Sequence, residues 1–145
     1  MYSVLTLLPR PYVDSAIARA QCYSYTIAMQ LDDDSETAAW LESLGGVPED
    51  FDWDKGNQTK SRKHGVEPTH VEEILRHPIL FAGRIIEPTH DERRWLLLGQ
   101  DDRGRTLALI FTRRRDRLRP VSCRPMRRKE KKLYEKAVED IENGP

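Results

Sequence analysis

The sharpest pattern of apolar and polar positions lies in the second half of the chain. From Arg105 to Thr112, Leu107, Leu109 and Phe111 fall on one face of an extended segment and Ala108 and Ile110 on the other, because successive side chains of a strand point to opposite faces. Apolar residues on both faces predict a central strand covered on both sides. Ile79 to Glu87, Arg94 to Gln100 and Arg117 to Cys123 read as three further strands. Asp101-Asp102-Arg103-Gly104 predicts a hairpin turn before the Arg105 strand, and Arg113 to Asp116 a shorter one after it. Consecutive strands joined by tight turns make an antiparallel sheet, here of about four strands. Pro120 has no N–H to give to a ladder, so the last strand is expected at an edge or bulged.

Helical spacing brackets this sheet. Met126, Glu130, Leu133, Ala137 and Ile141 predict an amphipathic helix over Met126 to Glu142. Ahead of the sheet, Phe51 to Trp53 reads as a short strand and Asp54 as the N-cap of a helix over Lys55 to Lys63, ended by His64-Gly65. Glu67-Pro68 opens a second helix with Val71, Ile74 and Leu75 as its apolar stripe, and Pro78 stops it. Two helices, a sheet and a terminal helix define an α+β domain.

Upstream the pattern weakens. Residues 12 to 31 carry a loose helical period through Val13, Ile17, Ala20, Ala28 and Leu31, which predicts a helix there. Asp32 to Glu36 reads as an acidic break that caps a short helix, Glu36 to Leu44, stopped by Gly45-Gly46. Pro48-Glu49-Asp50 then reads as a linker. The division expected is an acidic, flexible extension over residues 1–48 and a folded domain over 49–145, with residues 1–48 dispensable for folding.

Charge sharpens that division. The net charge is zero, yet residues 1–50 hold two arginines against eight acids, a net −6, and the remainder carries +6. From Arg103 to Lys132 ten Arg and three Lys stand against Asp116 and Glu130, a net +11. Such a field draws polyanions and speeds their encounter. Cys22 and Cys123 are the only cysteines and lack CxxC spacing, against a disulfide framework and for a reducing compartment. No apolar run approaches the roughly 20 residues a membrane helix needs, and no basic segment precedes the early apolar run, so a cytoplasmic protein is expected. His70 and His77 stand two helical turns apart, too far for joint chelation, so no metal is expected. The chain has neither a phosphate-cradling glycine loop nor a nucleophile elbow.

Several motifs occur in a recognisable order: Phe51-Asp52-Trp53-Asp54, Lys63-His64-Gly65-Val66, Glu92-Arg93-Arg94-Trp95, Gly104-Arg105, Arg119-Pro120-Val121-Ser122-Cys123-Arg124, and Met126-Arg127-Arg128-Lys129-Glu130 before Leu133-Tyr134. From residue 51 to about 138 the chain resembles the BrnT family of toxins. The resemblance implies a RelE-like fold and a ribonuclease toxin of a type II toxin-antitoxin system. It implies RNA as substrate, no cofactor, and inhibition by a ribbon-helix-helix antitoxin of the BrnA kind, DNA being met only through that partner. It departs from the family at Pro120, where Ile or Val is expected, and at Cys123, where Ala is expected.

Metal-free RNA cleavage needs an activated 2′-hydroxyl, stabilisation of added charge on the phosphate, and a proton for the leaving oxygen. Arginine supplies the second through its planar fork of donors. Arg94, Arg119 and Arg124 occupy the family's arginine positions and are the expected phosphate clamps; each is equally well read as a surface ion pair. Glu92 is a candidate base, but beside arginines it is expected to orient Arg94, since neighbouring cations make a carboxylate a poorer base. His64 fits an acid or base role and a helix C-cap equally. Tyr134 and Trp53 read best as packing residues. Arg105, Arg127, Arg128 and Lys129 are the expected RNA-backbone contacts. Two rival readings are a non-catalytic, antitoxin-binding scaffold that assists autorepression on DNA and a free-standing nucleic-acid-binding protein.

Overall fold

The computed structural model describes residues 17–19 and 29–143 of the chain. Four strands run as the predicted antiparallel meander: β3 (Ile79–Glu87), β4 (Trp95–Gln100), β5 (Thr106–Arg114) and β6 (Arg117–Pro125). β5 is interior, between β4 and β6. Its register pairs Leu109 with Leu97 on one side and Cys123 on the other. β6 is an edge strand, and the ladder slips where Ile110 faces Ser122 and Phe111 faces Pro120. The proline thus yields both of the features it permits, an edge position and a bulge at Val121.

The sheet has six strands among the described residues, two more than expected. β2 (Gln30–Asp32) pairs antiparallel with the second half of β3, and β1 (Ile17–Arg19) pairs parallel with Ile79 to Phe81. β1 and the start of β2 fall in the stretch read as a helix, which is corrected at those residues; residues 12–16 and 20–28 lie outside the described residues. The weak helical period there lost to the open edge of β3, whose N–H and C=O groups need partners. Gly83 makes the close approach possible. With φ of +125°, it lies in glycine's region, and a Cβ on it would collide with the Asp32 carbonyl.

Alternation along the strands sorts the core into two layers. Phe81, Trp95, Leu97, Leu107, Leu109, Phe111 and Cys123 face one way, against Ala38, Leu41 and Leu44 and against Val71, Ile74 and Leu75. These apolar partners come from or border α1 (Ser35–Glu42) and α3 (Pro68–Ile74). Leu80, Leu96, Leu98 and Ala108 face the other way, against Leu133, Tyr134 and Ala137 of α4 (Arg128–Glu142). The Tyr134 hydroxyl donates to the Pro78 carbonyl (2.7 Å), and burial pushes its pKa up. It is a packing residue of the helix.

The strand expected at Phe51 to Trp53 is reduced to one bridge, Phe51 with Leu118, because the chain turns into a helix four residues later, at Lys55. That helix is α2 (Lys55–Arg62), started by a reciprocal box in which the Asn57 N–H donates to the Asp54 carboxylate (3.0 Å) and the Asp54 N–H to the Asn57 side chain (2.8 Å). The segment read as a linker is a tight 3-10 turn, Pro48–Asp50. One Asp50 oxygen accepts the N–H groups of Gly45, Gly46 and Val47 at 2.9, 3.0 and 3.2 Å. Three donors on one carboxylate fix a stretch that composition alone marks as loose.

Candidate active site

The N-terminus of α2, the loop before β4 and the outer strand β6 meet around an open cavity of about 430 Å³. Arg94, Arg119 and Glu92 line it, together with Lys55, Lys60 and Arg114. Sheet register explains the meeting. Trp95 pairs with Phe111 and Thr112 with Arg119, so Arg94, one step before Trp95, stands level with the Thr112–Arg119 pair. Two of the three expected clamps therefore converge from positions 25 residues apart in the chain.

Their circumstances differ. The guanidinium of Arg119 is largely covered and donates to Asp54 at 2.6 Å, with Asp52 at 3.6 Å. Asp54 therefore has two tasks, capping α2 with one oxygen and holding Arg119 with the other. The Asn57 N–H, then Arg119, keeps the Asp54 carboxyl below its usual range, which makes it a weak base. Arg94 has no ion pair among the described residues, and its Nε is buried without an acceptor. Holding a buried charged donor unsatisfied costs free energy that packing alone does not return. Glu92 does not orient Arg94 as expected. Its carboxylate lies 3.6 Å from Arg114 instead.

Arg124 is elsewhere. Both of its terminal nitrogens donate to Glu130, at 2.7 and 2.9 Å, and Glu130 is almost fully buried at the start of α4, where it also accepts the Arg127 N–H (2.7 Å). Burial works to raise the Glu130 pKa, but the Arg124 bonds and the Arg127 N–H outweigh it and the net shift is downward. This fork fastens α4 to the sheet. Arg105 is similarly committed: it donates to Asp101 (3.2 Å) and to the Gly65 carbonyl (2.8 Å) and lies 3.0 Å from His70 Nδ1, tying the β4–β5 hairpin to the α2–α3 loop. His64 is exposed past the C-terminal end of α2 and is not among the residues that line the cavity. Arg127, Arg128 and Lys129 are exposed on the first turn of α4. His70 and His77 each have other partners, Glu67 N–H and Asp102 respectively.

The Arg124 pair carries a prediction. Arg124→Ala leaves a buried carboxylate without its counter-charge, a loss of about 3 kcal/mol, and lowers the melting temperature by roughly 10 °C. Glu130 has a folded pKa below its unfolded value, so the pair stabilises above the ordinary glutamate range and its contribution fades as pH falls through the lowered folded value. The gap between wild type and variant should therefore narrow on acidification. Equal melting at neutral pH would show the fork to be dispensable.

Reasoning from sequence missed Lys55, Lys60, Arg114 and the second task of Asp54. Arg114 was visible as part of a turn rich in arginine, but the Asp54–Arg119 pair spans 65 residues and has no local signal.

The fold and cavity define a small α+β protein with a cationic cleft suited to a phosphate-bearing ligand. A family model described as ribonuclease toxin, BrnT, of type II toxin-antitoxin system matches residues 53–130. The chain belongs to the BrnT family. The matched span holds Asp54, Arg94, Arg119 and Arg124, and leaves α1, β1 and β2 outside it. Membership in a type II toxin family implies an antitoxin partner. No curated protein and no solved structure matches the chain. Among the described residues no helix is long and apolar enough to cross a membrane.

Proposed function

We propose that this chain is an endoribonuclease toxin that cleaves RNA without a metal ion, using the cavity between α2, β4 and β6. The 2′-oxygen attacks the adjacent phosphorus, the 5′-oxygen leaves, and the products are a 2′,3′-cyclic phosphate and a 5′-hydroxyl. Arg94 and Arg119 stabilise the charge that builds on the phosphate oxygens, where preorganised donors act most strongly. Glu92 is the cavity carboxylate not held by either arginine, and it takes the 2′-hydroxyl proton; solvent or a cavity lysine protonates the leaving oxygen. In-line attack needs an unstacked backbone, so the substrate is single-stranded.

The observation that carries this reading is an arginine with no ion pair among the described residues, Arg94, opening on the same cavity as Arg119. We further propose a RelE-like fold, a cytoplasmic setting, and a BrnA-like ribbon-helix-helix antitoxin that covers the cleft and provides the contact with DNA. The test is incubation of the purified chain with single-stranded RNA in excess chelator. Fragments ending in cyclic phosphate are expected, and they should vanish when the antitoxin is co-purified. A rival, an antitoxin-binding scaffold that no longer cleaves, draws on the ion pairs that occupy Arg119 and Arg124. It gains if the antitoxin binds and no condition yields cleavage.

A further inference from the structure

The β5–β6 hairpin carries four arginines in five positions, Arg113, Arg114, Arg115 and Arg117, all exposed. With Asp52 and Asp116 they wall a second open cavity, of about 690 Å³. Arg113 braces the turn: its guanidinium lies 4.5 Å over the Trp40 ring and its Nε donates to the Arg115 carbonyl (3.0 Å). Arg115 and Arg117 have no ion pair among the described residues. Arg115 also sits at φ +59°, the left-handed region, at a turn position where Gly, Asn or Asp avoids the steric cost. Arg115 therefore holds its side chain out from the turn at a steric cost of its own.

Register joins this cradle to the cleft. Thr112 pairs with Arg119 and, two residues further, Arg114 pairs with Arg117 on the same face. Two residues of strand span about 7 Å, on the scale of one nucleotide of an extended backbone. Arg114 lines both cavities. All six residues around the cradle are charged, whereas the centre of a protein interface is depleted in charge and enriched in aromatic residues.

We propose that the hairpin is a second phosphate subsite, holding the backbone of a nucleotide that flanks the cleaved bond, so that single-stranded RNA runs from the Arg94 cavity across Arg114 to Arg115 and Arg117. This rests on the ribonuclease reading. It makes the substrate a strand several nucleotides long and not a dinucleotide.

The test uses the full chain, wild type and Arg115→Asn/Arg117→Gln, with non-cleavable 2′-O-methyl oligonucleotides of two and eight nucleotides. Asparagine keeps the left-handed turn, so the variant should fold. Wild type should bind the eight-mer far more tightly than the dimer. The variant should lose about tenfold on the eight-mer, with the slope of log affinity against log salt reduced by about 0.7 for each phosphate contact removed. Arg117→Gln alone, which leaves the turn untouched, should show a smaller loss in the same direction. Unchanged eight-mer affinity while wild type still cleaves RNA overturns the subsite alone. A wild type that neither binds nor cleaves RNA overturns the ribonuclease reading and the subsite with it. Loss of antitoxin affinity with RNA affinity intact makes the hairpin a protein-docking surface and also overturns the proposal.

Discussion

Arg94→Ala is expected to lose RNA cleavage by about a hundredfold or more, the usual cost of removing one preorganised donor from a developing phosphate charge, and to melt no lower than wild type. The second half of the prediction comes from the environment of the side chain. Arg94 has no ion pair among the described residues and keeps a buried Nε without an acceptor, so its removal takes away a desolvated donor and no stabilising bond. Arg124→Ala should show the opposite signature, a less stable chain with any loss of cleavage following from the loosened α4. Lys131→Ala, on the exposed side of α4, serves as the control and should shift only affinity and its salt dependence. Cleavage assays beside melting curves separate the three. An Arg94→Ala chain that cleaves within a few fold of wild type would reduce the arginines to a general polyanion surface.

Deleting residues 1–48 is expected to leave an insoluble chain, or one that melts far below the full protein. The dispensability expected from sequence thus gives way to the opposite prediction. Leu41 is fully buried, Leu44 and Ala38 nearly so, and all three belong to the layer that contains Phe81, Leu97 and Phe111. The Trp95 indole donates to Asp34 at 2.8 Å, and Arg76 donates to the Gly46 carbonyl at 3.3 Å. Truncation would uncover one face of the sheet, orphan the Trp95 N–H and open the edge of β3 to other chains. A milder probe avoids the ambiguity of an insoluble product. Leu41→Ala should cost about 3 kcal/mol, read as a melting temperature lower by roughly 10 °C. If both changes leave the melting point within a few degrees, residues 29–48 lie on the domain without supporting it.

The local elements were written in the chain. β3 begins and ends where the strand pattern put it, and α2 starts at the Asp54 cap. α4 follows the stripe from Leu133 to Ala137, and Asp101 organises the predicted hairpin by accepting the N–H groups of Arg103 and Arg105. These signals are legible because they depend on residues within a turn or two of one another. The order of motifs that resembles the family was likewise readable without coordinates.

Partners far apart in sequence were decided only in three dimensions. The edge of β3 recruited β1 and β2 from a stretch with weak helical spacing, since backbone groups at an open edge outbid a marginal local preference. Three arginines of equal standing in the sequence acquired different fates. Arg124 went to a buried glutamate at the foot of α4, Arg119 to the cap of α2, and Arg94 to the cleft without a carboxylate of its own. Residue type and spacing determine that a guanidinium will stand on this sheet. Which acid reaches it depends on the strand register and on where each helix lands, and that is set by the packing of the whole core.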